Sequence, residues 1–326
     1  MDIFQQIIKF FRTGTNFLIV PHKRPDGDAI GSSLALHRII KLVNKNSAVF
    51  IPEEIPESFR FLIVNDDIIV QDENILSNYD IVITLDSSNL DRTYVTRKII
   101  DNSNIIINID HHKTNDSFGD INLVMPDSSS TCEIILKLSK VGYLPLTPNI
   151  ANCLLTGIFT DTGFFRNQNV TDATFESAAE LIRFGADHET LISKLLQSKT
   201  VDDLKFHSEA MLKSEFSYQK QVGWIVISKE LMKKYNINDY RQVWGTGIIG
   251  FLNNISHVEV SYYFIEVSDN ETIIEYRAKN PHDVSIIAKH FGGGGHKLAS
   301  GCTINENIEL AQKKVFDYFF NNYSLM

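Results

Sequence analysis

Cysteine is scarce in this chain, with three among 326 residues. Cys132, Cys153 and Cys302 lie far apart, show no CxxC spacing and cannot all pair with one another. A disulfide scaffold and a thiolate zinc site both drop out, and the thiols read as reduced, small buried residues of a cytosolic protein. Long apolar runs are missing too: nothing approaches the roughly 18 residues of a membrane span. The opening MDIFQQIIKFFRTG reads as a short amphipathic helix with polar Gln5 and Gln6, and nothing directs export. Positive charge is also in deficit, Lys plus Arg numbering 31 against 40 Asp plus Glu, a net charge of −9. That sign argues against long duplex nucleic acid as a partner. A small phosphorylated ligand stays compatible with an acidic chain if metal ions and a few cations gather at one site. No internal repeat and no low-complexity tract interrupts the sequence.

What is present is an alternation. NFLIV (16–20), SAVFI (47–51), DIVITL (80–85) and NIIINI (104–109) are short apolar runs of buried-strand type. Helix patterns stand among and after them: AIGSSLALHRIIKLV, SSSTCEIILKLSKVG, PNIANCLLTGIFTD, and TDATFESAAELIRFG with Thr171 or Asp172 as N-cap. Such alternation predicts an α/β domain over 1–186, a mainly parallel sheet with helices on both faces. Residues 187–215 turn helical and more polar, as a helical connector would. KQVGWIVIS, SHVEVSYYFIEVS, TIIEYRAK, the helix DVSIIAKHF, a glycine run and the helix ELAQKKVFDYFFNN then predict a smaller α+β domain over 216–326. A ligand site is expected in the cleft between two such domains.

Three of the strand patterns run into residues that metals favour. NFLIV leads to PHKRPDGD, DIVITL to DSS, and NIIINI to DHH. In a parallel sheet the carboxyl ends of strands share one edge, where open α/β folds place their sites. A further carboxylate, Asp161, ends the apolar helix pattern ANCLLTGIF, where it must cap or bind something. Singly, each acid reads better as a turn former, and the His111-His112 doublet as a surface feature. Together His22, Asp26, Asp28, Asp86, His111 and Asp161 supply four carboxylates and two imidazoles at one edge. That set can hold two cations, and its oxygen-rich, thiolate-free character favours Mn²⁺ or Mg²⁺. Two such ions about 3.5 to 4 Å apart suit in-line displacement at phosphorus.

The run Phe291-Gly292-Gly293-Gly294-Gly295-His296-Lys297 follows a helix, unlike a dinucleotide fingerprint, and lacks the ending of a P-loop. Two readings stay open: a flexible loop, or a backbone free of Cβ atoms whose N–H groups approach an anion beside His296, Lys297 and Ser300.

The segments HKRPDGDAIGS, LDSS, IDHH, TDTGFF and GGGGHKLASG, in this order and spacing, resemble the DHH phosphoesterase superfamily over nearly the whole chain. The likeness is to its DHH plus DHH-associated subgroup, whose small members include the NrnA-type oligoribonucleases. The resemblance implies two Mn²⁺-like ions. One would be held by His22, Asp26 and Asp86, the other by Asp28, Asp86, His111 and Asp161, with Asp86 bridging. It also implies that Asp110 supports the site from behind by accepting a hydrogen bond, and that His112 faces the phosphate as donor or general acid. Arg277, Gly294, Gly295, His296 and Ser300 would grip the substrate's terminal phosphate. Many relatives carry Ser after that Arg, where this chain has Ala278. Arg166 is a further candidate cation, although a surface ion pair is its stronger reading.

The expected activity is hydrolysis of 5′-phosphorylated di- to pentanucleotides, including linear di-adenylate, to nucleoside 5′-monophosphates. Removal of the 3′-phosphate from 3′-phosphoadenosine 5′-phosphate, and cleavage of cyclic di-adenylate, are close alternatives. A manganese pyrophosphatase should end in a Lys- and Arg-rich segment, and a large RecJ-like exonuclease needs extra domains. A non-catalytic nucleotide sensor should have lost ligands, whereas all six are present. A homodimer is left open.

Overall fold

The computed structural model describes residues 2–72, 74, 79–197, 199–217 and 221–322. It divides into two compact units, Met1–Ser198 and Lys199–Met326.

In the first unit, helix α1 (Ile3–Thr13) precedes strand β1 (Asn16–Pro21), helix α2 (Gly27–Leu42), strands β2 (Asn46–Phe50), β3 (Ile69–Val70) and β4 (Ile81–Leu85), and helix α3 (Arg97–Asp101). Strands β5 (Ile105–Asp110) and β6 (Ile121–Val124) follow, then helices α4 (Thr131–Gly142), α5 (Pro148–Asp161), α6 (Asp172–Arg183) and α7 (His188–Leu196). The six strands form one parallel sheet in the order β3-β2-β1-β4-β5-β6. Strand order reverses between β1 and β4, the switch point where doubly wound sheets open a crevice at their carboxyl edge.

The sheet is buried on both faces, which is why its central strands are nearly uninterrupted Ile, Val and Leu. One face carries the large core with α1, α2, α4 and α5, including Ile19, Leu34, Ile83, Ile109, Leu154 and Ile158. The other holds a smaller cluster of Leu18, Val20, Phe50, Val82, Ile99 and Ile106. Burying such side chains contributes roughly 1.5–3 kcal/mol each. Edge strands β3 and β6 were not legible in sequence: β3 has two residues, and β6 is only half buried, so neither carries a long apolar run.

The second unit contains α8 (Val201–Leu212), β7 (Glu215–Ser217), β8 (Val222–Ile227), α9 (Lys229–Lys234), α10 (Gln242–Thr246), β9 (Val260–Ser268), β10 (Glu271–Ala278), α11 (Ser285–His290), β11 (Gly294–His296), β12 (Ala299–Ile304) and α12 (Ile308–Asn322). Its sheet runs β11-β12-β10-β9-β8-β7, antiparallel except for the parallel pair β8 and β9. Tyr262, Phe264, Tyr276 and Phe319 fill one face. Ile225, Ile227, Tyr263 and Phe206 fill the other.

Two expectations change here. The stretch 187–215 is helical but is split between the units: Leu191 of α7 packs into the first core, and Phe206 and Ala210 of α8 into the second. Polarity concealed this, because each short helix buries only one or two side chains. The glycine run is no flexible loop either, for Gly294–His296 pair with Ala299–Gly301 as an antiparallel hairpin. A Cβ at Gly293 would meet the Gly301 carbonyl oxygen at 2.1 Å, so close strand approach demands glycine there. Among the described residues no helix is long and apolar enough to cross a membrane.

Candidate metal centre

The acidic and histidine residues gather at the carboxyl edge of the first sheet, around the switch point. His22 follows β1, Asp86 follows β4, Asp110 ends β5 with His111 and His112 behind it, and Asp161 is the last residue of α5. Asp26 and Asp28 open α2, where Asp26 is the N-cap and its Oδ1 accepts the N–H groups of Asp28 (3.0 Å) and Ala29 (3.1 Å).

Asp86 is central. His22 Nε2 lies 3.5 Å from its Oδ2, His111 Nε2 3.5 Å and His112 Nδ1 3.6 Å from its Oδ1, and the Thr131 hydroxyl donates to it at 3.3 Å. Its φ is +56°, a left-handed conformation that Asp tolerates better than most residues and that turns the carboxylate back over the strand end. Asp161 Oδ2 stands 3.1 Å from His111 Nε2, and Asp26 Oδ1 3.7 Å from His22 Nε2. Ligand atoms of His22, Asp26 and Asp86 all lie within 4.8 Å of one another, as do those of Asp28, Asp86 and His111.

Asp28 is fully buried, and its carboxylate accepts the backbone N–H groups of Thr131 (2.6 Å) and Cys132 (2.9 Å) at the start of α4. The positive end of that helix thus compensates the buried charge. Gly157 on α5 leaves room for the arrangement, since a Cβ there would lie 2.5 Å from Asp28 Oδ1 and 2.3 Å from Cys132 Sγ.

Charge balance around these groups is strongly negative. Burial, then the charges of Asp86 and Asp161, push the Asp28 carboxyl well above the usual carboxylate range. Burial disfavours a charged His111, yet Asp161, Asp86 and Asp28 outweigh it and raise the imidazole well above its ordinary value. Without a cation the cluster retains protons, and a divalent ion would replace them.

The imidazoles are also oriented as metal ligands would be. His22 Nδ1 donates to the Lys23 carbonyl at 2.8 Å and His111 Nδ1 to the Ser128 carbonyl at 3.3 Å. A carbonyl only accepts, so each ring keeps a proton on Nδ1, and the proton that a metal would replace sits on Nε2, facing the carboxylates. His112 Nδ1 bonds Asp110 Oδ1 at 2.7 Å, and Asp110 Oδ2 accepts the Asn115 amide at 2.6 Å. Burial acts against an ionised Asp110, but the His112 hydrogen bond and charge, with the Asn115 amide, bring its pKa down to about 2. The donor set, carboxylate oxygen and imidazole nitrogen with no thiolate, fits divalent cations of the Mn²⁺ or Mg²⁺ kind.

The structure therefore brings His22, Asp26, Asp28, Asp86, Asp110, His111, His112 and Asp161 together on one edge. Sequence reading missed Asn115 and Thr131, both of which resemble ordinary turn and cap residues. It also missed Asn167 and Asn169, whose amides hold the Asp161 carbonyl at 2.9 and 3.3 Å. Arg166 forms no ion pair among the described residues and donates instead to the Gly163 carbonyl at 2.7 Å.

In the second unit, Arg277 lies opposite Ala299 in the register of β10 and β12, and Ser300 opposite Gly295 in the hairpin. Arg277 Nη1 donates to Glu275 Oε2 at 2.9 Å and to the Tyr276 carbonyl at 2.8 Å. His296 is exposed, and the buried Ser300 hydroxyl has no hydrogen-bond partner among the described residues. Ala278 belongs to the apolar core of this unit, so its methyl has a packing role.

Residues 16–158 match the DHH family N-terminal domain, and residues 232–321 match the DHHA1 domain. The chain thus carries a DHH domain followed by a DHHA1 domain. It is 29% identical over 318 residues to the probable bifunctional oligoribonuclease and PAP phosphatase NrnA of Streptococcus mutans, covering 96% of this chain and 98% of that one. It is 28% identical to the bifunctional oligoribonuclease and PAP phosphatase NrnA of Thermus thermophilus over 92% of this chain and 87% of that one. Its fold resembles the crystal structure of an exopolyphosphatase-related protein from Bacteroides fragilis, with a TM-score of 0.87 and 24% identity over 98% of this chain and 96% of that one. With both domains matched, the chain keeps its acids and imidazoles on a sheet edge suited to divalent metal.

Proposed function

We propose that this DHH protein is a two-metal phosphohydrolase that cleaves short 5′-phosphorylated oligonucleotides to nucleoside 5′-monophosphates and removes the 3′-phosphate of 3′-phosphoadenosine 5′-phosphate. The observation that carries the reading is Asp86, a buried carboxylate within 3.6 Å of three imidazoles that joins the ligand group of His22 and Asp26 to that of Asp28 and His111. Two ions held by His22, Asp26 and Asp86, and by Asp28, Asp86, His111 and Asp161, would neutralise charge on the phosphoryl group and acidify the attacking water. Manganese is the preferred ion in this reading, because two imidazoles accompany the carboxylates.

The remaining roles fall to side chains. Asp110 and Asn115 fix His112, which presents its other ring nitrogen to the substrate and donates a proton towards the departing 3′-oxygen. Arg277, His296, Ser300 and the edge strand at Gly294 and Gly295 bind the terminal phosphate, the strand offering a backbone N–H on its unpaired side. The names of the two NrnA relatives support the substrate class.

The deciding assay is hydrolysis by metal-stripped protein with added Mn²⁺ or Mg²⁺. Its substrates are 5′-phosphorylated di- to pentanucleotides, 3′-phosphoadenosine 5′-phosphate, linear and cyclic di-adenylate and pyrophosphate. Turnover of the dinucleotides to monophosphates is expected, and turnover of pyrophosphate or the cyclic dinucleotide alone would overturn the proposal.

A further inference from the structure

A cavity of about 250 Å³ opens beside the metal centre in the first unit, lined by Lys23, Phe50, Gln71 and the segment Thr93–Thr96. It shares the carboxyl edge of the sheet: Lys23 directly follows His22, Phe50 ends β2, and Thr93 pairs with His22 through a single antiparallel bridge. The ligand candidates used so far leave it unexplained.

Its chemistry is that of a flat heterocycle's pocket. The walls are largely apolar, with the Phe50 and Tyr94 rings edge to face at 6.4 Å. Most polar atoms around it are already engaged. Lys23 Nζ donates to the Asp91 carbonyl at 2.8 Å, the Thr93 hydroxyl to the Leu90 carbonyl at 2.8 Å, and the Tyr94 hydroxyl to Glu53. The Lys23 ammonium thus spends one of its three N–H donors on backbone. Gln71 is the exception: it is exposed, and its amide nitrogen donates to the Glu53 carbonyl at 3.3 Å. One further N–H and the amide oxygen are left to face a ligand. A carboxamide reads the N6 and N7 edge of adenine in a bidentate manner. The volume falls below the roughly 300–1,000 Å³ of whole-ligand pockets, as expected for a subsite holding one base.

We propose that this cavity is a nucleobase subsite with a preference for adenine, taking one base of a substrate whose phosphate lies at the adjacent metal centre. The inference rests on the phosphohydrolase reading for its role in catalysis, though not for the binding itself. Phe50 and Tyr94 supply the wall and Gln71 the edge recognition.

Two measurements separate the claims. In the first, KM and kcat are compared for 5′-phosphorylated di-adenylate and di-uridylate with wild-type, Gln71→Ala and Gln71→Glu proteins. Wild type should show a lower KM for the adenine substrate by about 5- to 100-fold, the discrimination typical of one bidentate base contact. Gln71→Ala should erase that difference by raising KM for the adenine substrate towards that for di-uridylate. Gln71→Glu should disfavour adenine, because a carboxylate repels N7, and improve a cytosine dinucleotide, whose N4 amino group it accepts.

The second measurement is saturation-transfer NMR of adenosine, which carries no phosphate for the second-unit anchor, with metal-stripped protein. Transfer to the adenine H2 and H8 protons is expected in wild type and should be lost in Gln71→Ala. Should no dinucleotide be hydrolysed while transfer remains Gln71-dependent, the proposed activity fails and the subsite stands. Absence of adenine preference in wild type, unchanged preference in Gln71→Ala, or transfer indifferent to residue 71 would each overturn the subsite.

Discussion

Replacing Asp86 with Ala should remove metal-dependent stabilisation and turnover together, while the metal-free protein still folds. The carboxylate is 3% exposed and lies within 3.6 Å of the three imidazoles at the site. In the metal-free state its loss has opposing effects. The imidazoles lose an electrostatic partner, whereas Asp28 and Asp161, whose carboxyls its charge helps to raise, are relieved of repulsion. Alanine at φ +56° adds roughly 1–2 kcal/mol of backbone strain. A folded but somewhat weaker protein should result.

The metal-loaded state differs sharply. An ion at about 100 times its dissociation constant stabilises the native state by roughly 2.7 kcal/mol. For a unit of this size each kcal/mol moves Tm by about 2–4 °C, so loading one site in wild type should raise the melting temperature by about 5–10 °C. Asp86→Ala should move by less than about 2 °C under the same conditions, and kcat/KM should fall by at least about a thousandfold. Asp86→Asn is the companion variant, since Asn accepts the left-handed conformation and isolates charge loss from backbone strain. The measurements are thermal melts with and without Mn²⁺, bound metal by elemental analysis, and hydrolysis of a 5′-phosphorylated dinucleotide. A folded Asp86→Ala protein that keeps its metal-dependent melting shift and near wild-type activity would falsify the shared-ligand assignment.

Other perturbations probe neighbouring parts of the argument. Asn115→Ala removes the amide at 2.6 Å from Asp110 Oδ2 and should lower kcat by about 10- to 100-fold with little change in Tm; unchanged kcat would remove Asn115 from the positioning of His112. Gly157→Ala places a methyl 2.3 Å from Cys132 Sγ and 2.5 Å from Asp28 Oδ1, so it should cost about 1–3 kcal/mol in denaturant unfolding and weaken metal binding, and a neutral result would contradict the packing. Apparent metal affinity should rise between about pH 6 and 8, because His22 and His111 carry raised pKa values in the metal-free protein and must release protons to bind; calorimetry in buffers of different ionisation enthalpy would detect that release, and pH-independent affinity would refute it. Arg277→Ala and His296→Ala should each lower kcat/KM for 5′-phosphorylated dinucleotides by about one to two decades, while a generic phosphodiester lacking the terminal phosphate is nearly unaffected and bound metal is retained; equal losses on both substrates would remove the anchor.

Periodicity in the sequence already determined the parallel sheet, because strands buried on both faces must be almost wholly apolar; NFLIV, DIVITL and NIIINI nearly are, and the buried exceptions Thr84 and Asn108 bond to each other. It also placed the candidate ligands, since polar residues immediately after such strands have only the carboxyl edge to occupy. What only tertiary structure decided are the contacts between residues distant in sequence. Asp28 meets the N-terminus of α4 at Thr131, more than a hundred positions along the chain, and that contact compensates a carboxylate which sequence shows only as buried or bound. Asn115 reads locally as a turn residue and becomes a partner of Asp110 through the path of the chain after β5. The glycine run illustrates the same limit: glycine signals local freedom, yet at Gly293 and Gly295 the backbone of β12 approaches so closely that a Cβ does not fit, and apparent flexibility becomes a paired strand. Local patterns record which groups must be buried or bound, but their partners depend on chain paths that no short window of sequence contains.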